Sequence, residues 1–142
     1  NLGGPAASVD GSSFEGKTAK GLSSNGIGID VKAPAFLPAP EGARATLLRT
    51  ALVHTQGTSV SIIGIPNGQY QLYLTVVEDA SPQTFDLLAE AKILHAKYKS
   101  GPAGTWARLG PWTVDVTDGL LDVEAKGGTA NFAALEIWKV AK

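Results

Sequence analysis

The chain has 142 residues, no cysteine and no methionine, and sets 12 Lys and Arg against 13 Asp and Glu. This length suits one domain, 1–142, large enough to bury a core without disulfides or a metal. The missing thiols exclude a thiolate metal site or a redox pair. Scattered, balanced charge argues against nucleic acid or an anionic membrane surface as partners, and no apolar run is long enough to span a bilayer.

A start at Asn1 with no Met anywhere leads us to expect a processed product or an excised piece of a longer protein. The 17 glycines and 8 prolines, set between short apolar runs, favour an all-β domain with many turns.

In chain order, residues 1–43 read as extended chain crossing a surface, with one short strand in "GIGIDVKA". "ATLLRTALVH" fits strand or helix, and its neighbours favour a strand. "TSVSIIGI" is a strand closed by the turn Pro66-Asn67-Gly68. In "QYQLYLTVVE", Tyr70, Leu72, Leu74 and Val76 alternate with Gln69, Gln71, Tyr73 and Thr75, which predicts a central strand with the first set buried. "TFDLLAEAKILHAKY" has helical propensity. Its alternating Phe85, Leu87 and Ala89 instead favour two strands bent near Glu90. "WTVDVT", "LLDVEA" and "FAALEIWKV" bring the count to eight or nine strands. The expected fold is a jelly-roll β-sandwich of two antiparallel sheets.

Asp118-Gly119 suits a two-residue type I′ hairpin. That turn pairs Val116 with Leu121, Asp115 with Asp122 and Val114 with Val123, and it puts all four apolar residues on one face. Parity then sends Trp112 into the core. Asp115 and Asp122 face each other outside, and like charges so placed repel. Neighbouring cations or splaying into water relieve this, or a structural calcium ion does, since calcium takes oxygen ligands. No other cofactor is expected.

The order of several short pieces resembles a malectin-like domain. These are "NLGGPAASVDGSSF", "LLRTALV…GIPNGQYQLYLTVVE", "QTFDLLAEAKIL" and "VTDGLLDVEAKGGTANFAALEIW". The resemblance covers most of the chain and is weakest over 16–43. It implies a galactose-binding-like jelly roll that binds carbohydrate without catalysis. It further implies a secreted or cell-surface location and an attached catalytic or surface domain. The family's ligand cleft lies among loops at one end of the sandwich. Here those loops are the ones around Asp79–Thr84 and Gly127–Asn131. At the positions of the family's sugar-contacting aromatics this chain has Phe14 and Phe36, Leu47 and Leu48, and Asp79, Ala80 and Ser81. Its "KGGTAN" loop lacks the family's acidic contact.

Sugar recognition needs an aromatic face and planar polar groups that grip hydroxyls in pairs. The aromatic candidates are Trp106, Tyr98 and Trp138; the polar ones are Glu78, Asp79, Arg108, Asn131 and Gln83. Trp106 and Arg108 share a face of any extended segment, and Tyr98 and Trp106 flank a Gly-Pro loop, so 98–108 competes with the family cleft. Trp106 is either a sugar platform or part of a satellite apolar cluster. Trp138 is expected to pack under the N-terminal segment. His54 and His95 have no nucleophile motif around them, and Glu78 with Glu136 is a weak carboxylate pair. The expected function is a non-catalytic module that binds a polysaccharide. The alternative is a structural or protein-interaction sandwich of a larger secreted protein.

Overall fold

A computed structural model describes residues 1–4, 7–9, 12–16, 19–42, 44–54 and 58–140, with backbone only at 7–9 and 12–14. Among these, β1 (Ala7–Val9) and β2 (Ser12–Phe14) form a two-stranded antiparallel sheet of their own. They are followed by β3 (Leu22–Ser24), β4 (Ile27–Asp30), α1 (Arg44–Leu48), β5 (Thr50–His54) and β6 (Ser59–Ile63). Then come β7 (Gly68–Val77), β8 (Thr84–Ala89), β9 (Lys92–Lys99), β10 (Trp106–Val116), β11 (Leu120–Lys126) and β12 (Ala130–Lys139). Two five-stranded antiparallel sheets, ordered β10-β7-β12-β5-β4 and β3-β6-β11-β8-β9, make an all-β jelly-roll sandwich.

Alternation in the sequence builds the core between them. Tyr70, Leu72, Leu74 and Val76 of β7 meet Phe85, Leu87, Leu121 and Val123 of the opposite sheet, around a fully buried Phe132. The predicted bend at Glu90 is a two-residue turn, with φ of 52° at Glu90 and 63° at Ala91. Left-handed backbone is costly for such residues. Hydrogen bonds offset it: Glu90 N donates to Asp122 O, and Asp122 N donates to the Glu90 carboxylate.

Two expectations are corrected. "ATLLRTALVH" is not one strand but α1 followed by β5. A strand would send Leu47 and Leu48 to opposite faces, whereas both are fully buried. One helical turn, in which Ala, Leu and Arg are good helix formers and only Thr46 is not, achieves this as it lies over the first sheet. The Asp118-Gly119 hairpin is the second correction. β10 pairs with β7, and β11 pairs with β6 and β8, so the turn arches from one sheet to the other. Only Gly119 has positive φ. Asp115 lies opposite Gln69 and Asp122 opposite Ser61, so the facing carboxylates that suggested calcium do not exist. Val114, Val116, Leu121 and Val123 are buried as expected, because both sheets turn their inner faces to one core.

Trp112 is half-buried against that core. A bulge interrupts β10 between Leu109 and Trp112, where three steps on β10 match two on β7. Such a bulge changes which face the following residues take. Gly110 occupies it with φ 115°, and a Cβ there would stand 2.5 Å from the Leu72 carbonyl oxygen. Trp106 and Arg108 share parity with Trp112, but the bulge turns them to the outer face.

Residues 31–42 and 44–48 lie across that outer face as a strap. Val31, Ala33, Phe36 and Leu48 bury Ala51, Val77 and Ala133 beneath it. The strap covers the end of the sheet near Val77 and leaves the other end open.

Candidate functional site

The predicted site residues do not converge on one surface. Glu78 is buried and locks the loops at the strap end. Its carboxylate accepts the backbone N–H groups of Asp79 and Ala80, and the Ser100 hydroxyl at 2.6 Å. Ser100 in turn accepts Gln83 N. Asp79 pins the strap: its Oδ1 accepts the N–H groups of Lys32 and Ala33. Gln83 Oε1 accepts Thr129 N, tying together the two loops in which the resemblance led us to expect a cleft.

Trp106 sits half-buried at the strap's edge, in the satellite cluster. Its Nε1 donates to Pro38 O at 2.5 Å, and its backbone N–H donates to Leu37 O. Tyr98 lies on β9, in the other sheet, and packs inward 5.4 Å from both Phe85 and His95. Burial raises its phenol pKa. The two rings therefore do not form one platform, although they flank the same loop. Asn131 lies on β12 opposite Val53, away from both. Phe14 lies outside the described side chains, and Phe36 is buried under the Arg49 guanidinium, 4.3 Å from its ring centre.

Arg108 lies on the open part of the outer face. It donates from Nε and Nη2 to the two oxygens of Glu136, at 2.7 and 2.9 Å. This hydrogen bonding raises its pKa further. The fork spans Tyr73, whose ring centre is 3.7 Å from the guanidinium carbon. Such bidentate geometry fixes both side chains. On β12, Glu136 pairs with Tyr73 and Trp138 with Gln71, so Trp138 is the diagonal neighbour of Tyr73 on one face.

Trp138 is 51% exposed, against the expectation that the N-terminal segment covers it. Leu135 and Ile137, of the opposite parity, do pack inward. The open face thus holds Trp138, Tyr73, Gln71, Arg108 and Glu136. Alternation within β7 and β12 carried the signal for this set. The pairing of Tyr73 with Glu136, 63 positions away in the chain, had no local signature.

The histidines differ. His95 is exposed. His54 is fully buried, stacked on Phe132 with ring centres 4.5 Å apart, and bonded to Ser24 Oγ and Leu52 O. Burial lowers its pKa. Among the described residues no three His, Asp or Glu side chains are grouped to hold a metal ion, and no helix is long and apolar enough to cross a membrane.

No protein-family model and no curated protein matches the chain. Solved structures do. A calcium-binding mutant of Bacteroides uniformis β-glucuronidase 2 aligns with 93% of this chain at a TM-score of 0.71 and 11% identity. A further B. uniformis β-glucuronidase structure aligns with 93% at 0.70 and 11%. B. uniformis β-glucuronidase 2 bound covalently to cyclophellitol-6-carboxylate aziridine aligns with 93% at 0.65 and 12%. This chain spans only 16% of the length of each of those chains. At such identities the likeness establishes the fold: the chain is a β-sandwich built like one portion of those enzymes.

Proposed function

We propose that the chain is a non-catalytic carbohydrate-binding module of malectin-like type. It holds a plant or microbial polysaccharide on the open outer face of the first sheet and brings an attached enzyme or surface protein to it. The observation that carries this reading is Trp138: a large apolar ring, half exposed on a flat sheet face, beside Tyr73 and a fixed Arg108–Glu136 pair. A pyranose presents an apolar C–H face to such a ring, while its hydroxyls meet planar polar groups beside it. The motif order of the sequence supports the malectin-like type. The match to 16% of β-glucuronidase chains supports one module within a larger protein.

Affinity electrophoresis through gels containing soluble glucans, mannans, galactans or xylans tests the reading. At least one polysaccharide is expected to retard the protein, and Trp138→Ala to abolish most of that retardation while Trp106→Ala, at the strap's edge, retains it. Unchanged mobility in every gel, together with a stable complex between the chain and a neighbouring domain, would favour the protein-interaction reading.

A further inference from the structure

A cavity of about 650 Å³ opens at the far edge of the sandwich, between β3 of one sheet and β4 of the other. Its origin is readable in "LSSNGIGID". The chain passes from one sheet to the other at Asn25-Gly26, and the residues flanking that step are Ser23, Ser24 and Gly28, too small to fill the gap. Gly26 is required by packing, since a Cβ there would lie 2.8 Å from both His54 Nε2 and the Val53 carbonyl oxygen. Gly28 is not: its Cβ would meet only Leu52 Cδ2, at an ordinary 3.9 Å. The missing side chain at Gly28 therefore leaves room that the fold does not need.

The lining has two characters. Leu2, Leu22 and Leu52 supply apolar surface, and Ser23 and Asp30 supply polar groups. Among the described residues β3 pairs with β6 alone and β4 with β5 alone, so both are edge strands, which present backbone donors and acceptors to what lies beside them. The volume falls in the usual range of about 300–1,000 Å³ for small-molecule sites. Such a lining suits a compact ligand with one apolar face and several hydroxyls. The single carboxylate, Asp30, accepts from two neighbouring hydroxyls at once and repels an anionic ligand.

We propose that this cavity binds one neutral pyranose unit, seated on the leucines with a vicinal diol on Asp30. The site is separate from the Trp138 face and does not depend on it. The test is titration of the ¹⁵N-labelled chain with methyl glucopyranoside, galactopyranoside and mannopyranoside, with methyl glucuronoside as the charged control. Amide shifts are expected at residues 22–30 for at least one neutral glycoside, with the glucuronoside binding several-fold more weakly. Gly28→Val fills the cavity with a residue that suits a strand, and is expected to weaken binding about tenfold or more. Asp30→Asn is expected to narrow the gap between neutral and charged glycosides. Trp138→Ala leaves these shifts unchanged, so loss of polysaccharide retention and loss of cavity binding read out separately. The proposal is overturned if no neutral glycoside shifts residues 22–30, or if Gly28→Val, folded by its own spectrum, binds as tightly as the parent.

Discussion

Arg108 lies over Tyr73, its guanidinium carbon 3.7 Å from the ring centre. The two residues come from different strands and share the outer face only because the bulge in β10 turns Arg108 outward. Lysine keeps the charge but has neither the planar stack nor the two-pronged grip on Glu136. Because the Arg108 side chain is 38% exposed, solvent screens the pair, and Arg108→Lys is expected to cost about 1 kcal/mol or less in urea unfolding. Retention on the polysaccharide that binds the parent is expected to fall several-fold, since Tyr73 and Glu136 lose their fixed positions. Unchanged retention would remove Arg108 from the binding surface.

Thr75 offers a test of the opposite sign. It lies under the covered part of the outer face at 1% exposure, and its hydroxyl has no hydrogen-bond partner among the described residues. An unsatisfied buried hydroxyl costs about 1–3 kcal/mol. Thr75→Val keeps the branched shape and removes that group, so it is expected to stabilise the fold by about 1 kcal/mol. A drop in the unfolding midpoint would show that the hydroxyl has a partner after all.

His54 makes stability depend on pH. Burial holds its folded pKa below the ordinary 6.5 that it regains on unfolding. Between those two values the unfolded chain binds more protons, so stability rises with pH. The contribution is complete above about pH 6.5 and is lost as pH falls toward the folded value. Glu90, whose pKa is raised chiefly by burial, acts with the opposite sign at lower pH. The difference between the parent and His54→Gln therefore isolates the histidine. Urea midpoints of the parent are expected to fall from pH 7 to pH 5 more steeply than those of the variant; parallel profiles would show that His54 does not govern this range.

The sequence announced most of this fold where the signal is local. The alternation of β7, the turn at Glu90 and the inward parity of Val114 through Val123 all appear as read from the residues. Asp118-Gly119 shows where such reading stops. An arch between two sheets and a hairpin within one bury the same residues, so neither parity nor turn chemistry separates them. The choice rests on β10 finding β7 and β11 finding β6, which are distant pairings. The same holds for the site. Period-two patterning put Glu136 and Trp138 on one face, but whether that face is covered depends on where residues 31–42 and 44–48 cross. They cross over Val77 and leave Trp138 bare. For Trp106 the residues left a sugar platform and a satellite cluster both open; the bulge at Gly110 turns it to the outer face, where it joins the satellite cluster.

The arch at Asp118-Gly119 is one of several crossings between the sheets, and together they make the chain indivisible. One sheet takes β4, β5, β7, β10 and β12; the other takes β3, β6, β8, β9 and β11. A break in any loop between β4 and β11 leaves both sheets short of strands. No half can collapse first and wait for the other, so folding rests on contacts distant in sequence, which are slow to form. A fragment cut anywhere inside that span therefore lacks strands of both sheets.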